Sequence, residues 1–222
     1  MPVTLKIDLV SDVSCPWCAI GLSSLEQALS RLRGEVETQI HCQPFELNPD
    51  MPPGGQDITE HLTQKYGSTP EQQARIREAI RHRGAEVGFE FSPDGRGRIY
   101  NTFDAHRLLH WAGVEHAPEQ LALKKALLKA CHRDRRAMDD HAVLLDAVKE
   151  VGLDVRRAQA VLAGDEFALA VREQETYYTS HGIQAVPAVI INDRHLISGG
   201  QPTDVFEQAL RQVAAEVAQH AA

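Results

Sequence analysis

Two cysteines stand close together in the motif Cys15-Pro16-Trp17-Cys18, between a stretch of alternating apolar residues and an apolar repeat of helical spacing. Thiols at that spacing either exchange disulfides or hold half of a metal site. The setting favours exchange. Backbone N–H groups at a helix N-terminus stabilise an anion, and a cysteine held there has its pKa drawn from about 8.5 into a range of roughly 3.5–7.5. Cys15, at the helix start and the more exposed of the two, is then the nucleophile. Cys18, one turn on, is the resolving thiol that closes the disulfide. A zinc site would need a second pair of ligands, and the sequence holds no second C-x-x-C and no C-x-x-H. The other chemical element is Val186-Pro187. A proline opening a buried strand is unusual unless it lies at an edge or in a cis turn, and read from the residues alone Pro187 could simply start the strand.

The elements that position these residues follow from periodicity. Val3, Leu5, Ile7 and Leu9 alternate with polar neighbours, the signature of a strand. After the cysteine pair, Ile20, Leu22, Leu25, Ala28, Leu29 and Leu32 recur at helical spacing. Pro16 suits the first turn of that helix, and Gly34 closes it. Residues 36–47 read as a second strand. Helices are then expected over 58–66, 70–87, 102–112, 118–132, 140–151, 154–162 and 166–181, with breakers at Gly67, Gly88, Pro93-Asp94-Gly95, Gly113, Gly152 and Gly164. In the fourth of these, Leu121, Lys124, Leu127, Leu128 and Cys131 share one face. Strands at 188–191 and 195–197 flank Asn192-Asp193, the pattern of a hairpin. Gly199-Gly200-Gln201-Pro202 then leads into a last helix, with Thr203 as its N-cap and Val205, Phe206, Leu210, Val213 and Val217 on its apolar side.

Composition bounds the rest. The chain has 222 residues, 43% of them hydrophobic, enough for a sizeable core. Lys and Arg number 23 against 31 Asp and Glu, and the net charge of −8 argues against a general affinity for nucleic acid or acidic lipid. No apolar run approaches the roughly 20 residues of a membrane span. The first ten residues lack the basic start and apolar stretch of a signal peptide, so with Met1 as the native start the protein is expected to be cytoplasmic. Cys42 and Cys131 each stand alone and read as small buried hydrophobes.

Asp12-Val13-Ser14-Cys15-Pro16-Trp17-Cys18-Ala19-Ile20-Gly21 resembles the active-site segment of the DsbA family of the thioredoxin superfamily, and its C-P-W-C resembles that of the FrnE-like branch. Further segments match that branch: Phe45-Glu46-Leu47-Asn48-Pro49-Asp50, Asn101-Thr102 with Ala105-His106-Arg107, Gly182 to Pro187, and Ser198 to Pro202. Together they span nearly the whole chain. The resemblance implies an α/β, thioredoxin-like fold with a large all-helical insertion between strands 2 and 3. Residues 1–50 and 165–222 would form the thioredoxin-like domain and 51–164 the inserted subdomain.

It also implies a protein-disulfide oxidoreductase acting on protein or small-molecule thiols, with Cys15 and Cys18 catalytic. The family's matching proline is cis and faces the C-x-x-C, which gives Val186 and Pro187 a substrate-binding role. Asn101 and His106 resemble insertion residues that face the active site, although a histidine on a mostly apolar helix is more often a packing residue. Trp17 either contacts substrate beside the thiols or packs locally. Gly199 and Gly200 serve as a turn or help bind a substrate such as glutathione at the following helix. No bound cofactor or metal is implied, with glutathione as a candidate redox partner.

Two other readings compete. A glutathione-dependent isomerase or transferase could act on aromatic or polyketide-like compounds, but such relatives usually have serine in place of Cys15 and lack a resolving cysteine. A non-catalytic module could hold zinc or an Fe–S centre with its C-x-x-C and a partner chain.

Overall fold

The computed structural model describes residues 2–220. In chain order the elements are β1 (Val3–Ser11), α1 (Pro16–Arg31), β2 (Val36–Pro44), β3 (Gln56–Asp57), α2 (Ile58–Tyr66), α3 (Pro70–Glu86), β4 (Arg98–Ile99), α4 (Phe103–Glu115), α5 (Ala117–His132), α6 (His141–Glu150), α7 (Val155–Ala163), α8 (Ala168–Ser180), β5 (Ala188–Ile191), β6 (His195–Ser198) and α9 (Thr203–His220).

Four strands form one sheet in the order β2-β1-β5-β6. β1 runs parallel to β2, from Val3 opposite Val36 to Ser11 opposite Pro44, and α1 is the crossover that a parallel pair requires. β5 is antiparallel to β1, with Ile7 opposite Ile191 and Val10 opposite Ala188. The β5–β6 hairpin turns at Asn192 and Asp193, whose φ values of 51° and 57° are those of a type I′ turn.

Both faces of the sheet are covered. Leu5, Ile7 and Leu9 are buried on one side with Leu22 and Leu25 of α1 and Phe206 and Leu210 of α9. Val10 packs on the other with Phe45, Tyr178 of α8 and Ile183. Burial on two faces explains why the end of β1 is a continuous buried run rather than an alternating one.

The segment between β2 and β5 is helical apart from the two-residue ribbon of β3 and β4. Strands that short leave no periodic trace in a sequence. The helices enclose a second core around Leu108, Trp111, Leu123, Leu127, Leu144, Val148 and Val161. Gln120 of α5 locks this layer to the edge strand: its Oε1 accepts the Cys42 N–H at 2.9 Å and its Nε2 donates to Cys42 O at 3.1 Å and to Leu109 O at 3.0 Å. Two buried edge groups of β2 are thereby satisfied.

Four expectations shift. The second strand stops at Pro44, where β1 ends, and the Leu47 N–H turns instead to Asp12 Oδ2 at 2.8 Å. Gly113 does not break α4, which runs on to Glu115; the Gln120 amide lies 2.4 Å from where a Cβ on Gly113 would stand, so close packing explains that glycine. α8 starts at Ala168 because Phe167 takes a left-handed conformation (φ 63°) and packs against the second core. The Thr203 hydroxyl, expected as an N-cap, donates to Gln27 Oε1 of α1 at 2.9 Å and ties α9 to α1.

Candidate active site

β1 delivers the chain to a buried turn, Asp12-Val13-Ser14, and α1 begins immediately after it. Cys15 occupies the N-cap position with extended backbone (φ −90°, ψ 115°), and Pro16 is the first helical residue. No side chain caps α1, so its leading N–H groups are left for the thiol. The Cys18 N–H donates to Cys15 O at 3.1 Å, and the N–H groups of Cys18 and Trp17 act to lower the Cys15 thiol. Cys15 is 4% exposed and Cys18 1%, so the expected difference in exposure is slight and both thiols lie below the surface.

Their electrostatics diverge more than their exposure. The hydrogen bond from the Cys18 thiol draws Cys15 below the ordinary thiol range, helped by the backbone donors and opposed by burial and by the nearby charge of Asp12. Burial pushes Cys18 well above that range, and its hydrogen bond to Cys15 adds to the effect. One sulfur is poised to ionise while the other keeps its proton, the division of labour that thiol exchange requires.

Facing them is the cis Val186–Pro187 bond that precedes β5. The Cys15 thiol donates to Val186 O at 3.5 Å, and the Gly199 N–H donates to Pro187 O at 2.8 Å. Backbones approach closely here. A Cβ on Gly21 would lie 2.9 Å from Pro187 Cγ, and one on Gly200 would lie 2.9 Å from Trp17 O. The structure thus brings Cys15, Trp17, Cys18, Val186, Pro187, Gly199 and Gly200 into one cluster. Trp17 is half-buried within it.

Asn101 and His106 are placed differently. Asn101 Oδ1 accepts the Phe103 N–H at 2.9 Å and its Nδ2 donates to Pro49 O at 3.3 Å, tying the start of α4 to the loop after β2. His106 is 1% exposed, with Nε2 3.6 Å from Asp12 Oδ1, an ion-pair distance rather than a hydrogen bond. It stands behind the turn, among the groups that fix it.

Asp12 is the centre of that support. Its Oδ1 accepts the Ser14 N–H at 3.0 Å, and its Oδ2 accepts the Leu47 N–H at 2.8 Å and the Ser14 hydroxyl at 3.3 Å. Burial alone would raise this carboxyl, but His106 and the backbone donors prevail and hold it well below the usual carboxylate range. Arg96, from the loop before β4, donates to Ser14 O. Lys124 of α5 is buried behind the end of β1, with Nζ 3.2 Å from Ser11 O. Glu46, in the loop after β2, is paired with Arg172 and pushed up to about 7 by burial and by Glu175.

Sequence reasoning assigned no role to Asp12, Glu46, Arg96 or Lys124. A usable signal existed for Lys124, a lysine within an apolar helix face. Cys42 and Cys131 are free and buried. Burial pushes Cys42 up to about 11 and raises Cys131 as well. Among the described residues no group of three or more His, Cys, Asp or Glu is placed to hold a metal ion, and no helix is long and apolar enough to cross a membrane.

Comparison with known proteins agrees with this geometry. The family described as the DSBA-like thioredoxin domain matches residues 6–211. A probable DsbA oxidoreductase of Streptomyces coelicolor superposes with a TM-score of 0.84 at 32% identity, covering 96% of this chain and 91% of that one. An uncharacterized protein of Bacillus subtilis, YwbO, is 26% identical over 209 residues, 94% of this chain and 96% of its own length. The fold is also that of a 2-hydroxychromene-2-carboxylate isomerase, with a TM-score of 0.71 at 14% identity, covering 96% of this chain and 98% of that one.

Proposed function

The chain belongs to the DSBA-like thioredoxin domain family, and on that premise we propose that it is a thiol–disulfide oxidoreductase in which Cys15 attacks and Cys18 resolves. In the reducing direction, the Cys15 thiolate attacks one sulfur of a substrate disulfide. A Cys15–substrate disulfide forms, and the other substrate sulfur leaves with the electron pair and takes up a proton. Cys18 then displaces the bound sulfur and closes the Cys15–Cys18 disulfide, so the substrate gains two electrons and the pair loses two. The oxidising direction is the reverse. No bound cofactor is required, and glutathione can serve as the small-molecule partner.

The observation that carries this reading is the arrangement around Cys15: a thiol at an uncapped helix N-terminus, drawn down by Cys18 and 3.5 Å from Val186 O. Substrate approaching Cys15 would displace that thiol–carbonyl contact and run beside Val186 and Pro187, with Trp17, Gly199 and Gly200 lining the same cluster. A C-P-W-C of the FrnE-like kind suits this role, on protein or small-molecule thiols. Glutathione-dependent isomerisation needs no resolving thiol, so a buried free Cys18 whose thiol draws Cys15 down favours exchange even though an isomerase shares the fold.

The test is a pair of assays on Cys15→Ser, reduction of insulin disulfides and oxidation of a dithiol peptide. Loss of both is expected. Retention of either would remove Cys15 from the nucleophile's place.

A further inference from the structure

An arginine-rich corner lies beside the thiol turn of a chain whose net charge is −8. The loop Asp94-Gly95-Arg96-Gly97-Arg98 follows α3 and leads into β4. Arg96 turns inward and donates to Ser14 O, one residue before Cys15. Arg98 is exposed, and its Nε and Nη2 donate to the carbonyls of Gly54 and Gly55 at 3.0 and 2.8 Å. Two more arginines lie against the same loop where it lacks side chains. A Cβ on Gly95 would stand 3.0 Å from Arg77 Cδ of α3, and one on Gly97 would stand 3.3 Å from Arg135 Nη2. Arg135, after α5, is itself left-handed at φ 58°, an uncommon conformation for a residue with a long side chain. Four arginines from three segments thus gather at one loop.

Their counter-charge is missing. Arg133 and Arg136 are paired with Asp134 and Asp146 at 2.8 and 2.7 Å. Among the described residues no carboxylate pairs with Arg77, Arg96 or Arg98. Arg135 meets Asp94 at 3.4 Å, and that aspartate side chain is 74% exposed. Asp57 stands opposite Arg98 in the β3–β4 ribbon, but its carboxylate caps α2, accepting the N–H groups of Thr59 and Glu60 at 2.8 and 3.1 Å. Guanidinium groups recognise carboxylates through paired hydrogen bonds. A single small anion engages one or two of them, whereas a run of acidic side chains engages the set. Because Arg96 joins the corner to the turn that carries Cys15, the partner it fits is the polypeptide whose disulfide reacts there.

We propose that this corner docks an acidic segment of a polypeptide substrate, next to the cysteine that exchanges with Cys15. The inference rests on the exchange reading above and names its substrate class. Carboxylates of the segment pair with Arg77, Arg98 and Arg135 and displace Asp94, while Arg96 keeps its bond to Ser14 O. The field of the whole molecule acts in the opposite sense, since a net negative chain attracts cationic peptides and repels acidic ones. Only the local corner can reverse that order.

The experiment uses disulfide-looped peptides that differ only in a triplet beside one cysteine: Glu, Gln or Lys. Reduced full-length protein is mixed with each peptide, quenched in acid and analysed by mass for the second-order rate constant of reaction at Cys15. The expected order is Glu, then Gln, then Lys, with Glu about tenfold faster than Gln at about 0.01 M salt and the three converging near about 1 M. In the double variant Arg77→Gln with Arg135→Gln, the ratio of the Glu rate to the Gln rate should fall about two- to fivefold for each arginine removed. Equal rates for the wild type, or the reverse order, overturn the proposal. So does a preference for Glu that persists at high salt or survives undiminished in the double variant. If none of the peptides reacts at Cys15, the exchange reading itself fails, an outcome distinct from a wrong order among peptides that react.

Discussion

Closure of the thiol cluster depends on Gly21, and Gly21→Ala should damage stability and exchange together. A Cβ there would stand 2.9 Å from Pro187 Cγ and 3.3 Å from Gly200 Cα. Carbon atoms in good contact are about 3.5–4.0 Å apart, so α1 and the proline segment must separate by roughly half an ångström or more. Neither partner is a free side chain. Pro187 is a ring on the backbone whose carbonyl is bonded to Gly199, and Gly200 lies against Trp17 O. Overpacking of this kind costs about 1–3 kcal/mol. For a chain of this length that corresponds to a fall in Tm of roughly 2–12 °C. The same displacement widens the 3.5 Å contact between Cys15 Sγ and Val186 O. Insulin reduction measured well below Tm should therefore slow beyond any loss of folded protein. The matched control is Gly164→Ala, where φ is −121° and no atom lies within 4 Å of the added Cβ; its Tm should stay within about 2 °C of wild type. If Gly21→Ala behaved like Gly164→Ala in both calorimetry and exchange, the close approach would not be holding the cluster and the reasoning would fail.

Other consequences follow from the charges around the site. Cys18→Ala removes the hydrogen bond that does most to draw Cys15 down, so the pH profile of Cys15 alkylation should move to higher pH; no movement would show that the helix N–H groups suffice alone. Asp12→Ala breaks a buried pair and should cost about 3–5 kcal/mol in urea titrations. The milder Asp12→Asn removes a negative charge that disfavours the Cys15 thiolate, and its alkylation profile should shift to lower pH. Glu46 has its pKa raised from 4.5 to about 7 in the folded state, so between those values the folded protein binds more protons than the unfolded chain. The contribution of Glu46 to stability should be fully present below about pH 4.5 and be lost as pH rises through 7, by an amount on the order of 2 kcal/mol after allowance for solvent screening. Urea titrations at several pH values should show this slope reduced in Glu46→Gln, and an unchanged slope would clear Glu46 of the effect.

Much of this architecture was legible because the relevant signals are local. The alternation of Leu5, Ile7 and Leu9, the helical spacing of Leu22 and Leu25, and Asn192-Asp193 between two apolar runs each fix an element without reference to anything distant. Cys15 and Pro16 are legible in the same way, since a proline in the first turn marks the helix start that activates the thiol. Support for the site was less visible because it is assembled across long sequence separations. Asp12 meets His106 of α4 and the Leu47 N–H, Arg96 reaches Ser14 O from the inserted segment, and Gln120 clamps Cys42. No period relates such residues. His106 shows the limit well: a resemblance can point it towards the site, but only packing shows that it stands behind Asp12. Gly113 is the converse case, a glycine that reads as a breaker until the Gln120 amide is seen to need the space.

The central claim is that Cys15 and Cys18 form a single redox couple. It is tested most directly by equilibrating the wild-type protein across a series of glutathione buffers, blocking free thiols and quantifying the peptides. The account predicts a Cys15–Cys18 cross-link that rises and falls reversibly with the buffer, with Cys42 and Cys131 left as free thiols. A midpoint near −120 mV would mark an oxidant and one near −270 mV a reductant. A protein that carries glutathione on Cys15 but never forms the cross-link would contradict the account.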